Sequence, residues 1–134
     1  MRRLLMATAA LGLLASPAFA HCDSMDGPVV ADAQRALEAQ DITPVLKWVT
    51  AEDEDEIQSA FELTLEVRDE TDAAKAVADQ YFFETLVRVH RASEGEGFTG
   101  LKPAGSVEPA IAAADQALED GNVEPLAEEL ASAI

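Results

Sequence analysis

From residue 28 onward, apolar residues recur at helical rather than alternating spacing. In PVVADAQRALEA, Val29, Val30, Ala33, Ala36 and Leu37 share one face and predict a helix over 28–39. Thr43-Pro44, a capping residue followed by proline in the first helical turn, predicts a short second helix through Trp48. Thr50 stands three residues ahead of Asp53, and the acidic run that follows suits a helix N-terminus. The third helix then runs to about Arg68, turning Ile57, Phe61 and Leu65 inward and Asp55, Ser59, Glu62 and Glu66 outward. Thr71 can cap a fourth, long helix from Asp72 to about Ala92. The next stretch, EGEGFTGLKPAGS, has four glycines and no periodicity, and reads as a long loop. It lacks the Gly-Lys-Ser/Thr ending of a phosphate loop.

Two more helices close the chain, and they repeat the first two. PVVADAQRALEAQDITPVLKWV, from Pro28, aligns without gaps to PAIAAADQALEDGNVEPLAEEL, from Pro109. Pro28/Pro109, Ala33/Ala114, Leu37/Leu118 and Pro44/Pro125 are identical, and Val30/Ile111 and Ile42/Val123 keep apolar character. Two copies are too few for a solenoid. The expected fold is all-α: a small helical bundle with a duplicated helical hairpin at each end of the mature chain.

The first segment departs from this pattern. MRRLLMATAALGLLASPAFA has a basic start at Arg2 and Arg3, an apolar run from Leu4 to Ala15, and small residues at Ala18 and Ala20. It reads as a signal peptide over residues 1–20, with an apolar run too short to span a bilayer. The expected organisation is therefore a leader, 1–20, and one helical domain, 21–134, exported and most simply periplasmic. A lipoprotein is disfavoured, because a lipid-bearing cysteine follows a small residue whereas Cys22 follows His21.

Charge then narrows the partners. The chain carries 9 basic and 26 acidic residues, for a net charge of −17. The leader holds two of the bases and no acid, so cleavage takes the charge to −19. Such a field repels nucleic acid, anionic membranes and phosphate-bearing substrates, and favours cations. Cys22 is the single cysteine. In an oxidising compartment it calls for an intermolecular disulfide, a reactive thiol or a metal.

The mature terminus, HCDSMDGPVV, offers such a metal site. Cleavage after Ala20 gives His21 a free α-amine beside its imidazole, and Cys22 adds a backbone amide and a thiolate. These four donors are local in sequence, and nitrogen and sulfur donors in a plane favour Ni(II) or Cu(II). Asp23 and Asp26 add carboxylates. The terminus resembles that of nickel superoxide dismutase, through His21, Cys22, Asp23 and Gly27. That resemblance implies nickel on the amine and imidazole of His21 and the amide and thiolate of Cys22. The sequence departs from it at Asp26, where the enzyme has its second cysteine, and at Met25, where it has proline. Two thiolates tune the nickel couple toward superoxide, and a carboxylate is a harder donor. Binding is therefore the better expectation than dismutation.

Across nearly the whole mature chain, the HCD…DGPVV start, the YFFETLVRVHR segment and the TGLKPAG loop resemble an uncharacterised family of secreted bacterial helical proteins. In YFFETLVRVHR, Phe82, Phe83, Leu86, Val87 and His90 form one arc, and Tyr81, Glu84, Arg88 and Arg91 the other, with Glu84 placed to pair with Arg88. His90 is either a hydrogen-bonded core residue or an axial ligand to a metal held by His21 and Cys22. A thiol hydrolase pairing Cys22 with histidine lacks an oxyanion site and an orienting third residue. The candidate metal residues are His21, Cys22, Asp26 and His90, with Ni or Cu as the ion. Three readings stay open: a metal-binding protein, an interaction or scaffold domain with Cys22 in an intermolecular disulfide (to a second copy or a partner protein), and a metal-dependent redox enzyme.

Overall fold

A computed structural model describes residues 21–132, apart from the side chains of residues 115 and 119. The expected leader lies outside the described residues. Six helices follow: α1 (Pro28–Ala39), α2 (Thr43–Leu46), α3 (Glu54–Val67), α4 (Asp72–Ser93), α5 (Pro109–Asp120) and α6 (Glu124–Ser132). The described residues contain no strand, only an isolated bridge between Ser24 and Lys102. The protein is an all-α bundle, and no described helix is long and apolar enough to cross a membrane.

The core lies where α1, α3 and α4 meet. Val29, Val30, Ala33, Ala36 and Leu37 of α1 pack with Ile57, Ala60 and Phe61 of α3 and with Phe82, Phe83, Leu86 and Val87 of α4. Thr71 caps α4 as its sequence position indicates, accepting from the Ala74 amide at 3.0 Å. The Thr50–Asp53 pair is a side-chain bond of 2.8 Å that makes no cap to the backbone of α3. α2 stops at Leu46, short of the expected Trp48, because the chain turns there to send the Trp48 indole onto Asp32, 2.8 Å away.

Ion pairs tie the helices together in a regular way. Asp32, on the apolar face of α1 and 2% exposed, takes Arg35 and Lys47. Asp79 of α4 takes Arg68 at 2.8 Å and Lys75 at 3.1 Å. Asp23 takes Arg91 and Lys102. The seventh basic residue among those described, Arg88, bonds Glu56 of α3, while Glu84 accepts from Gln80. This corrects the expected Glu84–Arg88 pair: the contact across two helices displaces the one along a single helix. Every base among the described residues thus faces a carboxylate, so a phosphate would have to displace one.

Burial pushes the Asp79 carboxyl up, but the bonds from Arg68 and Lys75 outweigh it and hold the group below its ordinary value of 3.8. A folded-state pKa below the unfolded one gives stability that is complete above about pH 4 and is lost as pH falls through the folded value. The stability gap between wild type and Asp79→Asn, read by denaturant unfolding, is expected to shrink as pH falls below about 4.

The sequence repeat is a structural repeat at the level of the chain. α1 and α5 are both 12 residues long, each with proline in its first turn. Each ends on a left-handed residue, Gln40 at φ 52° and Gly121 at φ 67°. The next helices then start after matching turns, with the Asp41 side chain accepting from the Thr43 amide at 3.0 Å and Asn122 from Glu124 at 3.1 Å. Packing separates the copies. Leu37 is 1% exposed, whereas its counterpart Leu118 is 83% exposed, and Ala117 is the buried apolar residue of α5. Gln40 occupies a conformation its counterpart fills with glycine. Gln40→Gly is expected to stabilise the fold by about 1 kcal/mol, measured by chemical denaturation.

Candidate functional site

The three segments HCD…DGPVV, YFFETLVRVHR and TGLKPAG are far apart in sequence and meet at one place. Asp23 is 1% exposed, and its carboxylate lies 3.1 Å from the Arg91 guanidinium at the end of α4 and 3.7 Å from Lys102 of the loop. The backbone supports the same junction, with Lys102 N–H donating to the Asp23 carbonyl at 2.8 Å and Met25 N–H to the Lys102 carbonyl at 3.0 Å. Arg91 also donates to the Gly97 carbonyl at 2.9 Å, closing the start of the loop onto the helix. The 94–106 loop is therefore built around residues 21–27.

Asp26 fastens the other end of the loop. It accepts from the Gly105 amide at 2.7 Å and from the Ser24 hydroxyl. Those two bonds, with His21 nearby, hold its carboxyl below the usual range. Gly27 lets the segment from His21 fold back on α1: a Cβ there would lie 2.0 Å from the His21 carbonyl oxygen. Any side chain would push the turn away.

The expected ligands are brought together only in part. His21 and Asp26 line one depression of about 270 Å³, bounded by Pro28 and Ala31 of α1, Gly105 of the loop, Val107 just after it, and Ala112 and Gln116 of α5. Cys22 is half-buried and packs against the core. His90 belongs to a different setting. Its Nδ1 lies 2.9 Å from the Trp48 carbonyl, which makes that nitrogen the donor, and its ring meets the Trp48 indole edge-on at 5.4 Å. Its buried Nε2 has no hydrogen-bond partner, with the Glu94 carboxylate 3.7 Å away. His90 is thus a core histidine held by Trp48. Among the described residues, no three His, Cys, Asp or Glu side chains gather as a ready ligand set. A chelate here has to draw on main-chain nitrogen as well as side chains.

The Asp23 carboxylate, expected only as lying near the metal residues, pairs with Arg91 and Lys102 and holds its segment against the end of α4 and the loop. Arg91, assigned by its helical position to a polar face, is only 11% exposed, and the Asp23 segment packs against that face.

No curated protein and no solved structure matches the chain. One family does, over residues 26–134, a span that takes in Asp26, His90, Arg91 and the loop and begins after His21 and Cys22. By that match the chain belongs to the family of unknown function DUF6448.

Proposed function

We propose that this is an exported metal-binding protein whose mature amino terminus chelates Ni(II) or Cu(II). The donors are the His21 amine and imidazole and the Cys22 amide and thiolate, with Asp26 as a nearby carboxylate. The observation that carries this reading is the anchor at Asp23. Charge pairing with Arg91 and Lys102, together with the backbone bonds to Lys102, fixes the chain from its third mature residue onward. In the proposed mature chain only His21 and Cys22 precede that anchor, and the position of His21 beside Asp26 supports a chelate at this end of the bundle.

The anchor also keeps roles separate. Asp23 and Glu96 together balance the charges of Arg91 and Lys102, which lowers the repulsion they would offer a cation at His21. The surplus of carboxylates draws cations toward the surface. Asp26, in place of a second thiolate, suits holding an ion more than cycling it through two oxidation states.

Titration of the mature protein with Ni(II) or Cu(II) tests this reading. One ion per chain is expected, with a sulfur-to-metal charge-transfer band that Cys22→Ser removes. Binding weakens as pH falls, because amine, imidazole, amide and thiol must all lose protons to ligate. A metal complex without sulfur character, unchanged by Cys22→Ser, would overturn it.

A further inference from the structure

Asp23, Asp32 and Asp79 each take two bases, and at Asp32 both bases line a depression. Its volume is about 400 Å³, within the range of small-molecule sites. Arg35 of α1 and Lys47, just past α2, are its basic walls, with side chains 61% and 62% exposed. Trp48, Pro28, Ala31 and Leu118 supply its apolar ones.

One carboxylate does not cancel two bases. Both oxygens of Asp32 are engaged: Oδ1 accepts from Arg35, and Oδ2 meets Lys47 and Trp48 Nε1, each at 2.8 Å. The lining therefore carries a surplus of one positive charge, in a chain whose net charge is −17. The other two aspartates leave no such opening. Glu96 adds a second carboxylate at Arg91, and the Arg68 side chain beside Asp79 is only 8% exposed. Arg35 gives Asp32 its Nη2, which leaves Nε and Nη1 of the guanidinium for a second acceptor. A single carboxylate would balance the surplus beside Asp32, whereas a phosphate monoester brings nearly two negative charges at neutral pH.

The indole wall is fixed in advance. Asp32 holds its Nε1, the His90 ring meets it edge-on at 5.4 Å, and the Lys47 ammonium lies 5.2 Å from the ring centre. A wall already held in place costs little further ordering when a ligand packs on it.

We infer that this depression binds a small organic monocarboxylate with an apolar body, such as an arylalkanoic acid. The carboxylate lies between Arg35 and Lys47, and the body packs on Trp48, Pro28, Ala31 and Leu118. Leu118, 83% exposed where its repeat counterpart Leu37 is buried, is then a wall of this site. The depression shares Pro28 and Ala31 with the one at His21 but has the opposite charge preference.

Phenylacetate is the probe, read by the fluorescence of Trp48, the single tryptophan. It is titrated into EDTA-treated mature protein, so that no metal at His21 takes the carboxylate. A saturable change with a Kd of about 1 mM is expected. Phenylacetamide, which keeps the ring and loses the charge, should bind about tenfold more weakly, and phenethylamine more weakly still. Arg35→Gln and Lys47→Gln should each weaken phenylacetate about fivefold, a modest loss because both side chains are exposed. Leu118→Glu sets a carboxylate on the wall without touching the Asp32 pairs, and should weaken it about fivefold. Leu130→Glu, the same change at an exposed residue of α6 outside the lining, should change it less than about twofold. Circular dichroism of each variant confirms that it is folded. Phenylacetamide or phenethylamine binding as tightly as phenylacetate, equal effects of Leu118→Glu and Leu130→Glu, or no saturable change up to about 20 mM would overturn the inference.

Discussion

Asp23→Ala is expected to destabilise the mature protein by about 3 kcal/mol, the cost of leaving one partner of a buried ion pair unmatched. Asp23 is 1% exposed and the Arg91 side chain 11%, so the pair is shielded from solvent. Lys102 is 41% exposed and is rehydrated when the carboxylate leaves, so its share is small. In a chain of this size the loss corresponds to a fall in Tm of roughly 10 °C or more. The bridge at Ser24 and Lys102 should open with it, which hydrogen exchange at Met25 and Lys102 would report, because those two amides make the bonds. Asp23→Asn is the sharper variant. It keeps shape and removes charge, so a loss close to that of alanine assigns the effect to the Arg91 pairing.

Blocking the α-amine of His21 should weaken nickel or copper binding more than about 100-fold, beyond the 10–100-fold typical of losing a supporting residue around a metal. In the proposed site the amine and the imidazole of His21 form one chelate ring, which removing either donor would break. His21→Ala is expected to be comparably damaging. His90→Ala should change affinity less than about tenfold, because its ring is fixed to Trp48. Its cost should appear in stability instead, through the lost packing and the unpaired Trp48 carbonyl. Asp23→Asn should fall between these, since it frees the terminus without removing a donor.

The helices were legible because their signals are local. Pro28 and the spacing from Val29 to Leu37 mark α1 to the residue, and Thr71 marks the start of α4. The repeat was legible for the same reason, since prolines, turn residues and helix ends are written along the chain. Its packing was not. Leu37 and Leu118 occupy equivalent positions and differ from buried to 83% exposed, because burial depends on what the rest of the fold brings alongside.

The candidate site was half legible. The chelate proposed at His21 and Cys22 rests on their adjacency in the sequence alone. The Asp23–Arg91–Lys102 junction joins residues from three distant segments, and nothing in a helical wheel distinguishes Arg91 from a solvated arginine such as Arg88. Asp32 hides in the same way, as a carboxylate on an apolar face whose Trp48, Arg35 and Lys47 partners make it a buried hub. One usable signal existed: an aspartate or arginine inside an otherwise apolar or motif-like stretch must find its counter-charge somewhere. His90 carried that signal too, and its answer was a main-chain carbonyl.

The central claim is that a free His21 terminus, held on the bundle by Asp23, is what binds metal. It is tested most directly by measuring metal retained after desalting in two forms of the chain: protein exported with its own leader, shown by intact mass to begin at His21, and the same residues with an initiator Met ahead of His21. The account predicts about one nickel or copper ion per chain in the first form and little in the second, because the extension converts the amine donor into an amide that must itself be deprotonated. Equal retention by both forms would contradict it.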